Sequence, residues 1–222
     1  MTDLAGTGHD AGRNDVLLEV ARIVGHSGAP VTGVRLLDAE VDVLVVADAQ
    51  EHRRRVAARA ESLTDLEVVS VLANLPRWEP VPLRTLSARE RRVVSRAPHG
   101  CLDIEAGAVT RLAGPPLSAV LAVVHDDDWD RGLNTASRFA PVATRVLVLD
   151  SEPAELPLVV NEAAEYGIGL AVTAGTSVQM AVLPECWREN YFTPGGWLFR
   201  EQAYRALTAQ MTIAGAEVTT RA

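Results

Sequence analysis

A histidine and four carboxylates stand close together at His125, Asp126, Asp127, Asp128 and Asp130. Carboxylate oxygens suit hard divalent cations such as Mg²⁺ or Ca²⁺. Consecutive aspartates at a strand-to-helix junction have a second use: they cap the helix and meet the positive end of its dipole. His99, Cys101 and His125 are zinc-ligand types, but their spacing matches no zinc signature, and a surface or hydrogen-bonded histidine is the competing reading. Arginine clusters at Arg53–Arg55 and at Arg89, Arg91 and Arg92 read either as local phosphate contacts or as solvated helix faces. All 21 basic residues are arginine, and the chain has no lysine. That excludes a lysine Schiff base, a pyridoxal phosphate anchor and a Walker A lysine. No Gly-x-Ser-x-Gly elbow and no glycine-rich dinucleotide fingerprint is present.

These groups hang on one stretch, Ser118–Asp150. The uninterrupted apolar run Ala119–Val124 has the length of a strand covered on both faces. After the acidic residues, Trp129, Leu133, Ala136 and Ala140 fall on one helical stripe. Arg145–Leu149 is a second strand, and strand, helix, strand in this order predicts a right-handed parallel pair. Upstream, residues 1–13 read as a flexible tail, and Asn14 as the cap of a helix to about Val24. Val34–Leu37 and Val41–Ala47 read as strands turned at Asp38-Ala39-Glu40. Asp48 and Glu51 resemble a capping box for a helix bearing Val56, Ala60 and Leu63, and Glu67–Leu72 reads as a strand. Three prolines within ANLPRWEPVPLRTL mark residues 76–86 as a linker. Ser87 and Glu90 form a second capping box, and Gly100–Glu105 and Ala108–Leu112 are short strands. Leu156, Val159, Val160, Ala163 and Ala164 stripe a helix ended by Gly167. Gly169–Thr173 and Val178–Leu183 form a strand pair turned at Gly175, and residues 199–211 form the last helix.

The expected fold is therefore α/β, a mixed sheet flanked by helices, in two similar α-β-β-α-β halves. Residues 14–75 form the N-terminal half and 87–222 the C-terminal domain. Leu102-Asp103-Ile104-Glu105, then Val123-Val124-His125-Asp126, the following helix, RVLVLD and Gly167-Ile168-Gly169-Leu170 resemble the core of the PD-(D/E)XK nuclease-like superfamily, over roughly residues 86–173. The resemblance implies a restriction-endonuclease-like core, with Asp103, Glu105 and Asp126 as Mg²⁺ ligands if the site is active. The second motif departs from the family's pattern, because Val123-Val124-His125 replaces acid, spacer, lysine. The resemblance then implies a pseudoenzyme with no catalytic residues and no cofactor. Gly33, Glu40-Val41-Asp42 and Glu67 distantly resemble a nucleotidyltransferase core that lacks its serine; an edge hairpin with outward acids explains the same residues.

Six of the ten aromatic residues lie between Trp187 and Tyr204. Trp187, Tyr191, Phe192 and Trp197 are candidates for a protein-partner or homo-oligomer surface, against the alternative that they pack the last helix. The net charge of −8 disfavours a broad grip on nucleic acid. No apolar stretch reaches membrane-spanning length and the N-terminus is unlike a signal peptide, so a cytoplasmic protein is expected. The resemblance, with its lysine and second acid absent, implies a non-catalytic binding or regulatory module on a nuclease-like scaffold, acting through a protein partner or assembly. A metal-dependent nuclease or nucleotidyltransferase is one alternative. A DNA-binding regulator, with a winged-helix reading of residues 87–124, is the other.

Overall fold

A computed structural model describes residues 6–174 and 177–220. The elements in chain order are α1 (Gly6–Val24), β1 (Ala29–Leu36), β2 (Ala39–Ala47), α2 (Ala49–Ala58), α3 (Leu66–Asn74), β3 (Pro80–Pro82), a 3-10 turn (Leu83–Thr85), α4 (Ala88–Ser95), β4 (Leu102–Glu105), β5 (Ala108–Arg111), β6 (Leu117–His125), α5 (Trp129–Ser137), β7 (Thr144–Leu149), α6 (Leu156–Glu165), β8 (Gly169–Ala174), β9 (Ser177–Val182) and α7 (Pro194–Thr220). Two compact units emerge. The first comprises Met1–Val46, Ala119–Asn190 and Ala206–Ala222; the second comprises Ala47–Ser118 and Tyr191–Arg205.

The first unit is built on a six-stranded mixed sheet in the order β1-β2-β6-β7-β8-β9. The central apolar run is extended as its length requires, and Leu121 to Val124 are all buried in β6. β6, β7 and β8 are parallel, while β1–β2 and β8–β9 are antiparallel. Leu17, Val20 and Ala21 of α1 pack with Leu44, Leu121, Val123, Val146 and Val148. The parallel strands are joined by α5 and α6, which bury Leu133, Ala136, Val159 and Ala163. α5 lies so tight that a Cβ on Gly132 would come within 2.5 Å of Leu147 Cδ1, which is why glycine stands there.

The second unit carries a three-stranded antiparallel sheet in the order β3-β5-β4. Its core gathers Val68, Val69 and Leu72 of α3, Val93 and Val94 of α4, Cys101, Val109 and Trp197.

Several expectations change. Glu67–Leu72 is not a strand but part of helix α3: Asp65 caps it by accepting from the Glu67 amide, and Val68, Val69, Val71 and Leu72 are buried at helical spacing. Packing overrides the strand preference of β-branched residues. The first half therefore lacks the third, closing strand of an α-β-β-α-β repeat. Helix α1 spans Gly6–Val24, so residues 6–13 of the segment read as a tail are helical and Asn14 lies inside the helix rather than capping it. The β1–β2 turn sits at Leu37-Asp38, both with positive φ (50° and 59°), the two-residue geometry that matches strand twist. Residues 76–86 are no linker between units: they lie inside the second unit and supply β3 and the 3-10 turn. β4 and β5 belong to the three-stranded sheet and not to the sheet of β6, whereas the nuclease-like core needs them beside it. In the winged-helix reading, Ser87–Ala97 is helical as α4 but Leu117–Val124 is a strand. The turn expected at Gly175 lies outside the described residues.

Candidate functional site

Helix α4 starts on a complete capping box, with the Glu90 amide donating to Ser87 Oγ and the Glu90 carboxylate accepting from the Ser87 amide. Val93 and Val94 then point into the second unit's core, which fixes the opposite arc toward solvent. At 100° per residue that arc centres on Ala88, Arg92 and Ser95, flanked by Arg91 on one side and Arg89 and Arg96 on the other. All six are exposed. The two flanks differ. Arg89 Nε donates to Glu67 Oε1 at 2.8 Å, and Arg96 pairs with Glu67 and, at 3.5 Å, with Asp65. These arginines, Arg89 first, hold the Glu67 carboxyl below its usual range. Arg91 and Arg92 instead donate to the carbonyls of Leu86 (2.5 Å) and Ala88 (3.3 Å), and Arg84 in the preceding turn is exposed. Among the described residues, Arg84, Arg91 and Arg92 meet no carboxylate.

The charge is segregated between the units. The second unit holds thirteen arginines against ten acidic residues, a net of +3; the first holds eight against nineteen, a net of −11. The total charge of −8 hides this.

Not every arginine of the second unit is available. Arg55 is buried and forks onto Glu201 through two bonds of 2.6 and 2.7 Å while its Nε donates to Glu51 at 2.8 Å. Arg54 and Arg77 also bind Glu51, and Glu201 accepts from Trp197 Nε1 and the Leu63 amide. Burial raises the Glu51 carboxyl, but its arginine partners outweigh it and hold it below the usual range. Glu51 is thus a core anion rather than the capping-box residue expected; Asp48 alone caps α2. Val56, one of the apolar residues expected on this helix, is exposed.

In the first unit Asp42 is fully buried, against the expectation of an outward acid. Arg13 Nε donates to its Oδ2 at 3.1 Å and the Gly33 amide to its Oδ1 at 2.7 Å. His125 Nε2 is buried 2.9 Å from Oδ2. Burial pushes the carboxyl up, while His125, Gly33 and Arg13 together hold it below its ordinary value. The pattern was legible: alternation puts Asp42 on the same face as Leu44, which packs against α1.

The other expected site residues fall as follows. Asp103 and Glu105 are exposed on β4. Asp126 accepts from Arg131 Nε at 2.9 Å and from the Asp128 amide, and Asp128 caps α5 through the Arg131 amide. The aspartate run thus does the capping work. Among the described residues no three His, Cys, Asp or Glu side chains converge as a metal would need. Cys101 is buried, its thiol raised to about 11 by desolvation, and Cys186 is exposed. Trp197 is wholly buried and cannot offer its ring to a partner; Phe199 and Tyr204 are buried too. Tyr191 (78 % exposed) and Phe192 (42 %) remain outward, and Trp187 is half-buried.

No family model, no curated protein and no solved structure matches the chain.

Proposed function

We propose that the protein is a non-catalytic binding module that engages nucleic acid through the arginine arc of α4. The observation that carries this reading is that Arg84, Arg91 and Arg92 stand exposed without a carboxylate partner among the described residues, on a unit of net +3 within a chain of net −8. Small Ala88 and Ser95 at the centre of the arc let the helix approach a groove closely while the flanking guanidinium groups reach phosphates. No aromatic residue stands on α4, so the surface is no stacking platform for single strands and double-stranded nucleic acid is the expected target. The hairpin β4–β5 that follows α4 carries exposed Asp103 and Glu105, and contact is confined to the helix. The non-catalytic half of the reading rests on the missing lysine and on the Arg131 guanidinium that occupies Asp126.

Three phosphate contacts set a salt slope of about −2.7, so affinity falls about 40-fold between 50 and 200 mM salt. Fluorescence anisotropy with a labelled duplex of about 20 base pairs measures this. Arg92→Ala flattens the slope by about 1. Absence of binding at 50 mM salt, or an unchanged slope in the variant, rejects the reading.

A protein partner is the second reading, supported by the adjacent exposed rings of Tyr191 and Phe192. It predicts that Tyr191→Ala leaves the melting temperature unchanged and abolishes co-purification of a protein from the native host.

A further inference from the structure

A groove of about 250 Å³ runs between α5 and α6 in the first unit. Trp129, Asp130, Leu133, Asn134 and Ser137 line it from α5, and Glu162 and Tyr166 from α6 and its C-terminal cap. The size suits a small ligand rather than a drug-sized one. Its chemistry is one-sided: two aromatic rings, two carboxylates and an amide, with no arginine or histidine in the lining.

The carboxylates are unspent. Other acids of α5 and its approach are neutralised locally, Asp126 and Asp127 by Arg131. Asp130 and Glu162 meet no basic side chain among the described residues, and neither Trp129 nor Tyr166 carries a stacked guanidinium. Arg145 of β7 donates to the Tyr166 carbonyl at 2.8 Å and does not line the groove. Tyr166 is 54 % exposed, so its ring is open to a ligand in the groove. Leu133 is buried and closes the floor, while Gly132 sets α5 close enough to the sheet that the groove has a fixed base.

We propose that this groove binds a small organic cation of the alkylammonium class, by contact of the cation with the Trp129 and Tyr166 rings and by charge pairing with Asp130 and Glu162. Aromatic rings attract a diffuse cation through their quadrupole, and a weakly hydrated quaternary ammonium loses least on leaving water. The paired carboxylates give the sign selectivity, and Asn134 is placed to orient a polar substituent. The ammonium is borne either by a free metabolite or by a methylated lysine of another chain, and the chemistry is shared.

The experiment titrates the full chain by calorimetry with choline, with its neutral isostere 3,3-dimethylbutan-1-ol, and with a short peptide carrying trimethyl-lysine, using sodium chloride as the ionic-strength control. Choline or the peptide binds, and the neutral isostere binds at least about tenfold more weakly. Tyr166→Ala weakens the cation about 3- to 30-fold, with an unchanged melting temperature because the ring is half exposed. Glu162→Gln weakens it further still in the double variant. Tighter binding of choline upholds a free metabolite, and tighter binding of the peptide a protein-borne ammonium. The proposal is overturned if the isostere binds as well as choline, if Tyr166→Ala changes nothing, or if neither cation binds at up to about 10 mM.

Discussion

Glu51 and Asp42 are both carboxylates with no exposed surface, one in each unit, yet their surroundings differ in kind. Glu51 sits in a knot saturated by guanidinium groups: Arg54, Arg55 and Arg77 bind it directly, and Arg55 passes on to Glu201. Asp42 is held by one arginine, one backbone amide and one histidine. An ion knot fed only by arginine keeps its charges at every physiological pH, because guanidinium does not deprotonate. Two equally buried anions thus teach different lessons: Glu51 is tied into a guanidinium network that runs on to Glu201, and Asp42 is held by three partners of mixed kind.

The largest effect should come from cutting the knot. Arg55→Ala leaves Glu51 and Glu201 buried at close quarters without their common partner, and breaking a buried pair in this way costs about 3–5 kcal/mol. Thermal denaturation should show a fall of about 10 °C. A drop of only a degree or two would mean that Arg54 and Arg77 re-form the network alone.

Asp42→Asn comes next, at about 2–3 kcal/mol, since the amide still accepts from Gly33 but turns a donor toward Arg13 or His125. The pH dependence sharpens the contrast. Because the folded protein holds Asp42 below its ordinary carboxyl value, its contribution is fully present above the unfolded value of about 4 and is lost as pH falls through the depressed one. The stability gap between wild type and variant should close in acid and be constant near neutrality. Urea titrations at a series of pH values measure it, and a gap that widens in acid contradicts the assignment.

How much of this was readable beforehand depends on whether the signal was local. The Ala119–Val124 strand, the crossover helix and the parallel partner were legible because an apolar run and a one-sided stripe are properties of neighbouring residues. Helix α3 was not: LEVVSVL carries β-branched residues at positions that satisfy either period, and only the cap at Asp65 and the core behind it decide. The Glu51 knot was invisible for a different reason. Its partner Glu201 stands 146 residues away, and nothing local distinguishes an arginine that will be buried from its solvated neighbour Arg53. The aromatic segment shows the same limit, since Trp197 and Tyr191 look alike in sequence and end with opposite exposure.

The smallest effect tests where surface ion pairs stop being structural. Glu67 binds Arg89 and Arg96 at the edge of the α4 arc, and exposed pairs of this sort contribute little to stability. Glu67→Gln should therefore hardly move the melting temperature. It should still matter for nucleic acid, because each guanidinium released from a carboxylate becomes free to meet a phosphate and adds about 0.9 to the salt slope. Anisotropy titrations should give a slope steeper by as much as about 1.8 and a tighter complex at 50 mM salt. The knot around Glu51 offers the internal control, since its arginines cannot be released without unfolding. If Glu67→Gln leaves both affinity and slope unchanged, Arg89 and Arg96 do not face the bound phosphates, and contact is confined to the flank of Arg84, Arg91 and Arg92.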